Sequence, residues 1–372
     1  MRDGPTCQST KDPMTESPQA VDLFAPGRIC LFGEHSDWAA EYGLHTGYCL
    51  VIGTDQGLTA RARASEEFLV ETQIPDADGR PTGRVRRMNC QWDADVLLEA
   101  ARDRQEFFRY CAGVAHQMFA REGVSGGLDL RITGMDLPLR KGVSSSAAVC
   151  ILVARAFDAV YELGLFPHEL MELAYLGEKL TGSQCGRMDQ ACIYGKTPVL
   201  LTFEKSSDIR VEPVFPGGQV AMFFVDLAGR KDTVRILGDL QGAYLKSPRL
   251  QEALGPANER FARAAYRALS AGDAERLGRL MTEAQASFDE KVAPSSPQEL
   301  ASPLLHEVLS MDAIAEHVYG GKGVGSQGDG TAQFVARSAE ARDDAMAAIT
   351  AAYPQMRCFP LTITPGTPRP GA

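Results

Sequence analysis

One segment restricts the possible folds of this chain more than any other: a glycine-containing loop that runs directly into a long apolar helix. Across residues 146–163, apolar residues and good helix formers follow one another with no Gly or Pro. This pattern predicts a helix that is buried on much of its surface. Predicted strands and helices interleave on both sides of it, which indicates an α/β or α+β fold.

The apolar periodicity predicts the individual elements. Strands are predicted at residues 24–32, 47–53, 128–132, 198–203, 220–227, 332–336 and 356–363. Helices are predicted at residues 146–163, 167–180, 257–270, 274–288, 300–319 and 339–352. Polar loops are predicted at residues 34–41, 134–142 and 183–189.

The length of 372 residues predicts about two domains. The Phe-Pro-Gly-Gly stretch at residues 215–218 is the best candidate for the seam between them, so we expect domains at residues 23–216 and 217–363. Residues 1–22 and 364–372 are rich in Ser, Thr, Pro and other residues that bury little surface, which predicts a frayed tail at each end.

The composition argues against several classes of function. The 38 Lys and Arg and the 48 Asp and Glu give a net charge of −10 with no long basic run, so nucleic-acid binding is not expected. No apolar stretch reaches the roughly 18–20 residues of a membrane span, and the N-terminal segment lacks a secretory signal. We therefore expect a cytoplasmic protein with a small-molecule partner. The nine cysteines contain no C-x-x-C pair, which predicts mostly buried, reduced thiols.

Two glycine motifs resemble nucleotide-binding signatures but fail on context. The Gly-Lys-Thr at residues 195–197 is similar to the end of a P-loop, yet Gln190 stands where that pattern requires Gly. Residues 323–328 match G-x-G-x-x-G, but the predicted order around them is helix, loop, strand. A dinucleotide site needs a strand before the glycines and a helix after them. Neither motif therefore predicts a nucleotide site.

The loop before the long helix is a better candidate. Residues 138–148 read Pro-Leu-Arg-Lys-Gly-Val-Ser-Ser-Ser-Ala-Ala, so small residues and two cations lead into a helix N-terminus. Such a loop directs backbone N–H groups and the positive end of the helix dipole at one point, which favours a bound phosphate. The alternative is that Ser144, Ser145 and Ser146 only cap the helix. One serine would suffice for capping, so three favour the phosphate site.

Two carboxylates complete the candidate chemistry. An enzyme that handles a polyphosphate normally needs a divalent cation and a group that orients the nucleophile. Glu178 lies near the C-terminal end of its predicted helix, where the helix dipole disfavours a negative charge. It is either a magnesium ligand or a solvated surface residue. Asp189 follows in a loop beside Gly186 and Arg187, which indicates a carboxylate placed for a purpose.

Three segments in order, at residues 25–37, 142–148 and 320–330, resemble the three motifs of the GHMP small-molecule kinases. Within that superfamily the chain is most similar to galactokinases and related sugar kinases. Its Gly-Glu-His-Ser-Asp-Trp at residues 33–38 resembles their G-E-H-x-D-[YW] motif, and residues 186–190 resemble their G-x-M-D-Q segment. The resemblance implies an α+β fold of two domains, the first similar to ribosomal protein S5 and the second ferredoxin-like, with the active site between them.

The resemblance also implies the cofactors and the roles of the phosphate-binding residues. ATP would be bound by Lys141, Gly142, Val143, Ser144, Ser145, Ser146 and Ala147. Mg²⁺ would be held by Ser146 and Glu178. Asp189 would take or orient the proton of the acceptor hydroxyl, and Arg28 would lie beside it and stabilise developing charge.

The same resemblance implies an acceptor site made of Glu34, His35, Asp37 and Gly186. Carboxylates suit sugar hydroxyls because each can accept two hydrogen bonds at once. His35 is an alternative general base, but phosphoryl transfer asks more for positioning than for a strong base, which favours Asp189.

The third motif departs from the usual pattern of the superfamily. Gln327 and Asp329 replace small residues near the point where acceptor and γ-phosphate should meet, and Asp329 could bind a further hydroxyl. Residues 39–43 also lack the usual Asn-Gly-Gly. An acceptor other than galactose is therefore compatible with the sequence.

We accordingly predict an ATP-dependent kinase that phosphorylates a sugar or sugar-like polyol, at the anomeric hydroxyl. Two alternatives remain open. One is a kinase of a non-sugar alcohol, as in the mevalonate branch, and the other is a catalytically weak, sugar-sensing regulator. The Asp37-Trp38 pair argues against the first, and the presence of Asp189 and the intact serine loop argues against the second.

Overall fold

A computed structural model describes residues 20–75, 81–137, 144–204 and 209–366. Lys141, Gly142 and Val143 lie outside these ranges. The strands are β1 Val21–Phe32, β2 Gly47–Ser65, β3 Phe68–Pro75, β4 Pro81–Cys90, β5 Gly127–Met135, β6 Val199–Phe203, β7 Ile209–Pro213, β8 Val220–Asp226, β9 Val318–Gly323, β10 Thr331–Ala336 and β11 Arg357–Ile363. The helices are α1 Ser36–Ala40, α2 Ala94–Arg102, α3 Arg109–Glu122, α4 Ser145–Tyr161, α5 Pro167–Leu180, α6 Thr233–Tyr244, α7 Pro248–Glu252, α8 Asn258–Ala271, α9 Ala274–Lys291, α10 Pro303–Leu309, α11 Asp312–Ala315 and α12 Ala339–Ala352.

The first half of the chain forms a seven-stranded sheet centred on the long strand β2. One series of neighbours runs β4-β3-β5-β2-β6-β7, and β1 also pairs with β2. The first residues of β2 pair with β6, its last residues pair with β5, and β1 is antiparallel to it over most of its length. β2 therefore has partners along both of its edges, and β1 is hydrogen-bonded along one of them, so the loop that follows β1 starts from a strand held by β2.

Helix α4 packs against this sheet and is surrounded by other helices. It contacts β1 and β2 on one side and α3 and α5 on the other. Nine of its residues are buried, including Ile151, Leu152 and Phe157. The prediction of a helix buried on much of its surface is confirmed. Its N-terminal turn is thereby fixed beside the C-terminal end of α5, where Ser146 meets Glu178.

The second half forms a four-stranded antiparallel sheet with the order β11-β8-β10-β9. Successive residues of a strand point to opposite faces of its sheet, and β8 is apolar on both. Phe223 and Val225 join a core with Phe334 and Ile349, whereas Phe224 joins the main core that also contains α4. The second sheet is thus buried on two sides.

Helices α8 and α9 link the two halves. α8 packs on β2 and α9 packs on β9 and β10. A smaller apolar cluster adds a second link, because Trp38 of α1 packs with Tyr244, Leu254 and Phe288 from the second half. The expected α+β fold with two sheets is confirmed. The exact domain boundaries stay a prediction, with the seam at residues 215–218 lying between β7 and β8.

The structure corrects two of the predicted elements. The helix predicted at residues 300–319 is replaced by α10, α11 and the start of β9. Gly320 lies in β9, where α9 passes so close that there is no room for a side chain. A Cβ at Gly320 would lie 2.2 Å from the Gly278 carbonyl oxygen. The order around residues 323–328 is therefore strand, loop, strand. The polar loop predicted at residues 34–41 contains α1, whose residues are all buried.

The cysteines agree with the expectation of mostly buried thiols. The eight cysteines in the described ranges are free, and six of them are buried. Within those ranges we find no helix that is long and apolar enough to cross a membrane.

Candidate active site

The turn after β1 brings three predicted acceptor ligands together. Glu34, His35 and Asp37 are all buried, although each is polar. His35 has φ of 68°, in the left-handed region that side chains rarely adopt. A buried, polar turn with a strained residue is a common feature of functional sites.

His35 is held as a neutral hydrogen-bond donor. The Nε1–H group of Trp38 donates to His35 Nδ1 over 3.0 Å, so the ring hydrogen is on Nε2. Burial, with the nearby charges of Lys231 and Lys322, lowers the pKa of His35 to about 3. Since Nδ1 is already occupied and the ring resists protonation, this geometry disfavours the alternative of His35 as general base.

Asp37 is packed against the loop that carries Gly186, the first residue of the segment at residues 186–190. A Cβ at Gly186 would lie 1.8 Å from Asp37 Oδ2, so no larger residue fits there without displacing the carboxylate. The Met188 N–H donates to the same oxygen over 3.2 Å. Burial, and next the negative charge of Asp189, raise the pKa of Asp37 to about 6. The Asp37 carboxylate is therefore fixed in place, and its negative charge is not fully offset by the nearby Arg28.

Arg28 and Asp189 form an ion pair at the centre of the site. Arg28 is in β1 and is buried, and Asp189 begins a short 3-10 helix, Asp189–Tyr194. Burial alone would lower the pKa of Arg28, but the Asp189 carboxylate, with contributions from Cys30 and Asp37, more than offsets this and raises the pKa. The Asp189 side chain remains 22% exposed. A carboxylate that is oriented by a buried cation and still reachable from solvent suits a group that acts on a substrate.

Glu178 is buried near the end of α5, so the alternative of a solvated surface residue is wrong. It accepts hydrogen bonds from Gln190 Nε2 at 2.8 Å and from Ser183 Oγ at 3.3 Å, and the Ser146 hydroxyl also donates to it. Burial, and next the charge of Asp189, raise the pKa of Glu178 to about 7. Within the described ranges no Lys, Arg or His lies within 4.0 Å of this carboxylate.

The serine triplet begins α4 without capping it in the ordinary way. Ser144 is at the N-cap position with φ of 55°, and its side chain makes no capping hydrogen bond. An ordinary cap residue is extended and accepts a bond from the helix backbone. Ser145 and Ser146 are half-buried in the first turn, and Ala147 is fully buried. The capping alternative therefore does not explain Ser144.

The third-motif loop, residues 324–330, connects β9 and β10. It lies next to the turn after β1, here called the first-motif turn (residues 33–35), since Gln327 and Glu34 line the same cavity. Gln327 is buried with φ of 60°, and Lys231 Nζ donates to the Gln327 carbonyl at 2.9 Å and to Ser326 Oγ at 3.0 Å. Asp329 Oδ1 accepts the Leu305 N–H over 3.0 Å, in the first turn of α10. One oxygen of Asp329 thus has a structural role, and its predicted contact with an acceptor hydroxyl stays a prediction.

Comparison with known proteins identifies the superfamily. A family model described as "GHMP kinases N terminal domain" matches residues 109–196. A galactokinase of Chloroflexus aggregans is 28% identical over 88% of this chain and 87% of its own length. Residues 109–196 therefore contain a GHMP kinase N-terminal domain, and the chain as a whole resembles the GHMP kinases. The predicted superfamily and its closeness to galactokinases are confirmed, and a GHMP kinase is an enzyme of the phosphotransferase class.

Solved structures show the same fold. Lactococcus lactis galactokinase complexed with galactose matches with a TM-score of 0.71 and 18% identity, over 94% of each chain. L. major mevalonate kinase in complex with R-mevalonate matches with a TM-score of 0.70 and 19% identity, over 95% of this chain and 99% of its own. The GHMP kinase fold therefore extends over nearly the whole chain, well beyond residues 109–196.

The buried Glu178 and the half-buried Ser146 fit a magnesium ion. In the described ranges, no cluster of three or more His, Cys, Asp or Glu could hold a metal by itself. Mg²⁺ does not need one, since it is usually bound through one or two carboxylates together with substrate phosphates and water. A buried carboxylate with hydroxyl and amide partners but no cation beside it has the donor chemistry that such an ion prefers.

Three polar residues from the second half of the GHMP kinase fold were missed by sequence reasoning. Lys322 pairs with the Glu34 carboxylate. Asn258 Nδ2 donates to the Glu34 carbonyl at 3.1 Å, and Lys231, in the loop between β8 and α6, donates to the third-motif loop. The sequence does contain one indication of a special role for Lys322, because it is the single cation among the glycines at residues 320–323.

Proposed function

We propose that this GHMP kinase transfers the γ-phosphate of ATP to a hydroxyl of a sugar or sugar-like polyol, with the anomeric hydroxyl as acceptor. The observation that carries the proposal is the grouping of two buried carboxylates and a neutral imidazole beside the Arg28–Asp189 pair. Several hydroxyls on one small molecule would satisfy such a group, since carboxylates accept hydroxyl hydrogens and His35 Nε2 donates one. The galactokinase relative supports the same acceptor class.

Asp189 and Arg28 are the residues that act on the reacting atoms. The acceptor hydroxyl lies next to Asp189, which orients it and takes its proton as the oxygen attacks the γ-phosphorus. The bond from the γ-phosphorus to the bridging oxygen breaks, and ADP leaves with the electron pair. Arg28, buried and fixed by Asp189, stabilises the charge on the transferred group. Positioning provides most of the rate, as is general for phosphoryl transfer.

The nucleotide would bind at the start of α4. Backbone N–H groups there have no partner within the helix, and the serine triplet adds hydroxyl donors. Ser146 and Glu178 would hold Mg²⁺, which when bound neutralises phosphate charge. The overall charge of −10 is compatible with this assignment, because anion binding here is local.

The direct test is release of ADP from Mg-ATP in the presence of a panel of free sugars, uronic acids, heptoses and cyclitols. Turnover on one or more members supports the proposal. Turnover on none of them, together with turnover on a non-sugar alcohol such as mevalonate, would assign the enzyme to that branch. ATP and sugar binding without any turnover would instead indicate a regulator.

The Asp189→Asn variant tests the assigned base. It should lower turnover by at least about 10²-fold, the usual contribution of a positioned acid–base group, and leave ATP binding near normal. Asp55→Asn is the matched control, because Asp55 is an exposed carboxylate on β2 that pairs with Lys196. Equal turnover in the two variants would contradict the role of Asp189.

A further inference from the structure

Lys322 is an unusual residue for its position. It is the one lysine in the described ranges that is fully buried, with a side chain 2% exposed. Its ammonium group pairs with Glu34 Oε1 and also donates to its neighbour's carbonyl, that of Gly323, at 2.9 Å. Lysines are almost never fully buried unless they are paired. The pair with Glu34 is therefore the reason that this lysine can lie inside the protein.

The ion pair joins the two halves of the fold at the acceptor site. Glu34 is in the turn after β1 and Lys322 is in β9, 288 positions further along the chain. Nothing in the local sequence of either residue brings them together. Removal of one partner would leave the other as an uncompensated buried charge, which proteins tolerate poorly.

Different parts of Glu34 are held by different residues. Asn258 Nδ2 fixes the backbone, since it donates to the Glu34 carbonyl at 3.1 Å and to Ser36 Oγ at 3.0 Å. The side chain still has freedom, because the terminal torsion of a Glu is broad and does not itself select an orientation. The charge of Lys322 supplies that selection through Oε1.

We propose that Lys322 is a positioning residue, which orients the Glu34 carboxylate so that Glu34 can accept a hydrogen bond from an acceptor hydroxyl. This inference rests on the proposed function. Lys322 itself makes no contact with the acceptor in this assignment. Its whole effect on catalysis passes through Glu34.

The experiment compares steady-state kinetics of Lys322→Met, Glu34→Gln and the double variant with those of the wild-type enzyme. Lys322→Met should lower kcat/KM for the acceptor at least tenfold, through a higher acceptor KM, and change the KM for ATP less than twofold. The double variant should match Glu34→Gln within threefold, because once the carboxylate charge is absent the lysine has nothing left to orient. Lys196→Met, which removes an exposed Lys–Asp pair, is the control and should behave as wild type.

Each alternative outcome is decisive. If the double variant is more than tenfold worse than Glu34→Gln, Lys322 acts on the substrate or on the loop directly and the inference is overturned. It is also overturned if Lys322→Met raises the KM values for ATP and acceptor by the same factor, as a purely structural link would. Should Lys322→Met fail to fold, the comparison of Glu34→Gln with the double variant still decides, since the first keeps the Lys322 ammonium hydrogen-bonded to the Gly323 carbonyl and the second contains neither charge. A wild-type enzyme that releases no ADP with any acceptor would refute the proposed function, and the inference with it.

Discussion

The Asp37→Asn variant is expected to gain stability while losing substrate binding. The ordinary pKa of an aspartate is 3.8, and burial together with Asp189 raises that of Asp37 to about 6. Each unit of pKa corresponds to about 1.4 kcal/mol, so ionising Asp37 costs about 3 kcal/mol more in the folded protein than in the unfolded chain. An asparagine carries no charge and avoids this cost.

The sign of the pH dependence follows from the same values. Because the folded pKa lies above the unfolded one, the folded protein binds more protons between them, and this contribution to stability is lost as pH rises toward about 6. The difference in unfolding free energy between Asp37→Asn and the wild type should therefore grow in favour of the variant by about 2 kcal/mol as the pH rises from about 4.5 to about 7.5. Other titrating groups cancel in the comparison, apart from those coupled to Asp37.

The assay is urea unfolding of both proteins at the two pH values, followed by circular dichroism. Asp55→Asn, at an exposed ion pair, serves as the control for losing a carboxylate. The acceptor KM of Asp37→Asn should rise at least tenfold, since the carboxylate that accepts substrate hydroxyls is gone. A stability difference between Asp37→Asn and wild type that is the same at both pH values would refute the reasoning.

Two further substitutions test the geometry of the site. Gly186→Ala places a Cβ 1.8 Å from Asp37 Oδ2 and must displace that carboxylate; acceptor KM measured at saturating ATP should rise at least tenfold, and an unchanged KM would contradict the assigned position of Asp37. Ser146→Ala removes a hydroxyl that donates to Glu178; a magnesium titration of the rate should show a higher half-saturating concentration, whereas an unaltered response would leave Ser146 as part of the helix start alone.

Local sequence patterns predicted those elements whose boundaries depend on local signals. α5 begins at a proline that suits the first helical turn, and both its ends match the prediction, as do those of α12. The buried helix α4 was also predicted from its composition. In contrast, β3 and β4 were missed. β4, which pairs with β3, is mostly exposed and carries little apolar pattern.

The same distinction applies to the candidate site: residues close together in sequence were predicted, and residues brought in from distant parts of the chain were not. Glu34, His35 and Asp37 are close in sequence and were found together, and their burial agrees with a shared function. Lys322 and Asn258 were missed because each contacts Glu34 across more than 200 positions of chain. Such side chains reach the turn through the packing of α8 on β1 and β2, and through the packing of β9 on α9, which itself contacts β1.

Two buried thiols lie next to the first-motif turn, and their reactivity depends on whether this turn is closed or open to water. Cys49 Sγ donates to the Gly33 carbonyl at 3.0 Å, and Cys30 Sγ to the Phe32 carbonyl at 3.2 Å. Burial raises the pKa of Cys49, so its thiolate forms only when the turn opens to water. The rate at which a thiol reagent labels Cys49 would then measure how often the acceptor turn opens, and a bound acceptor should slow it.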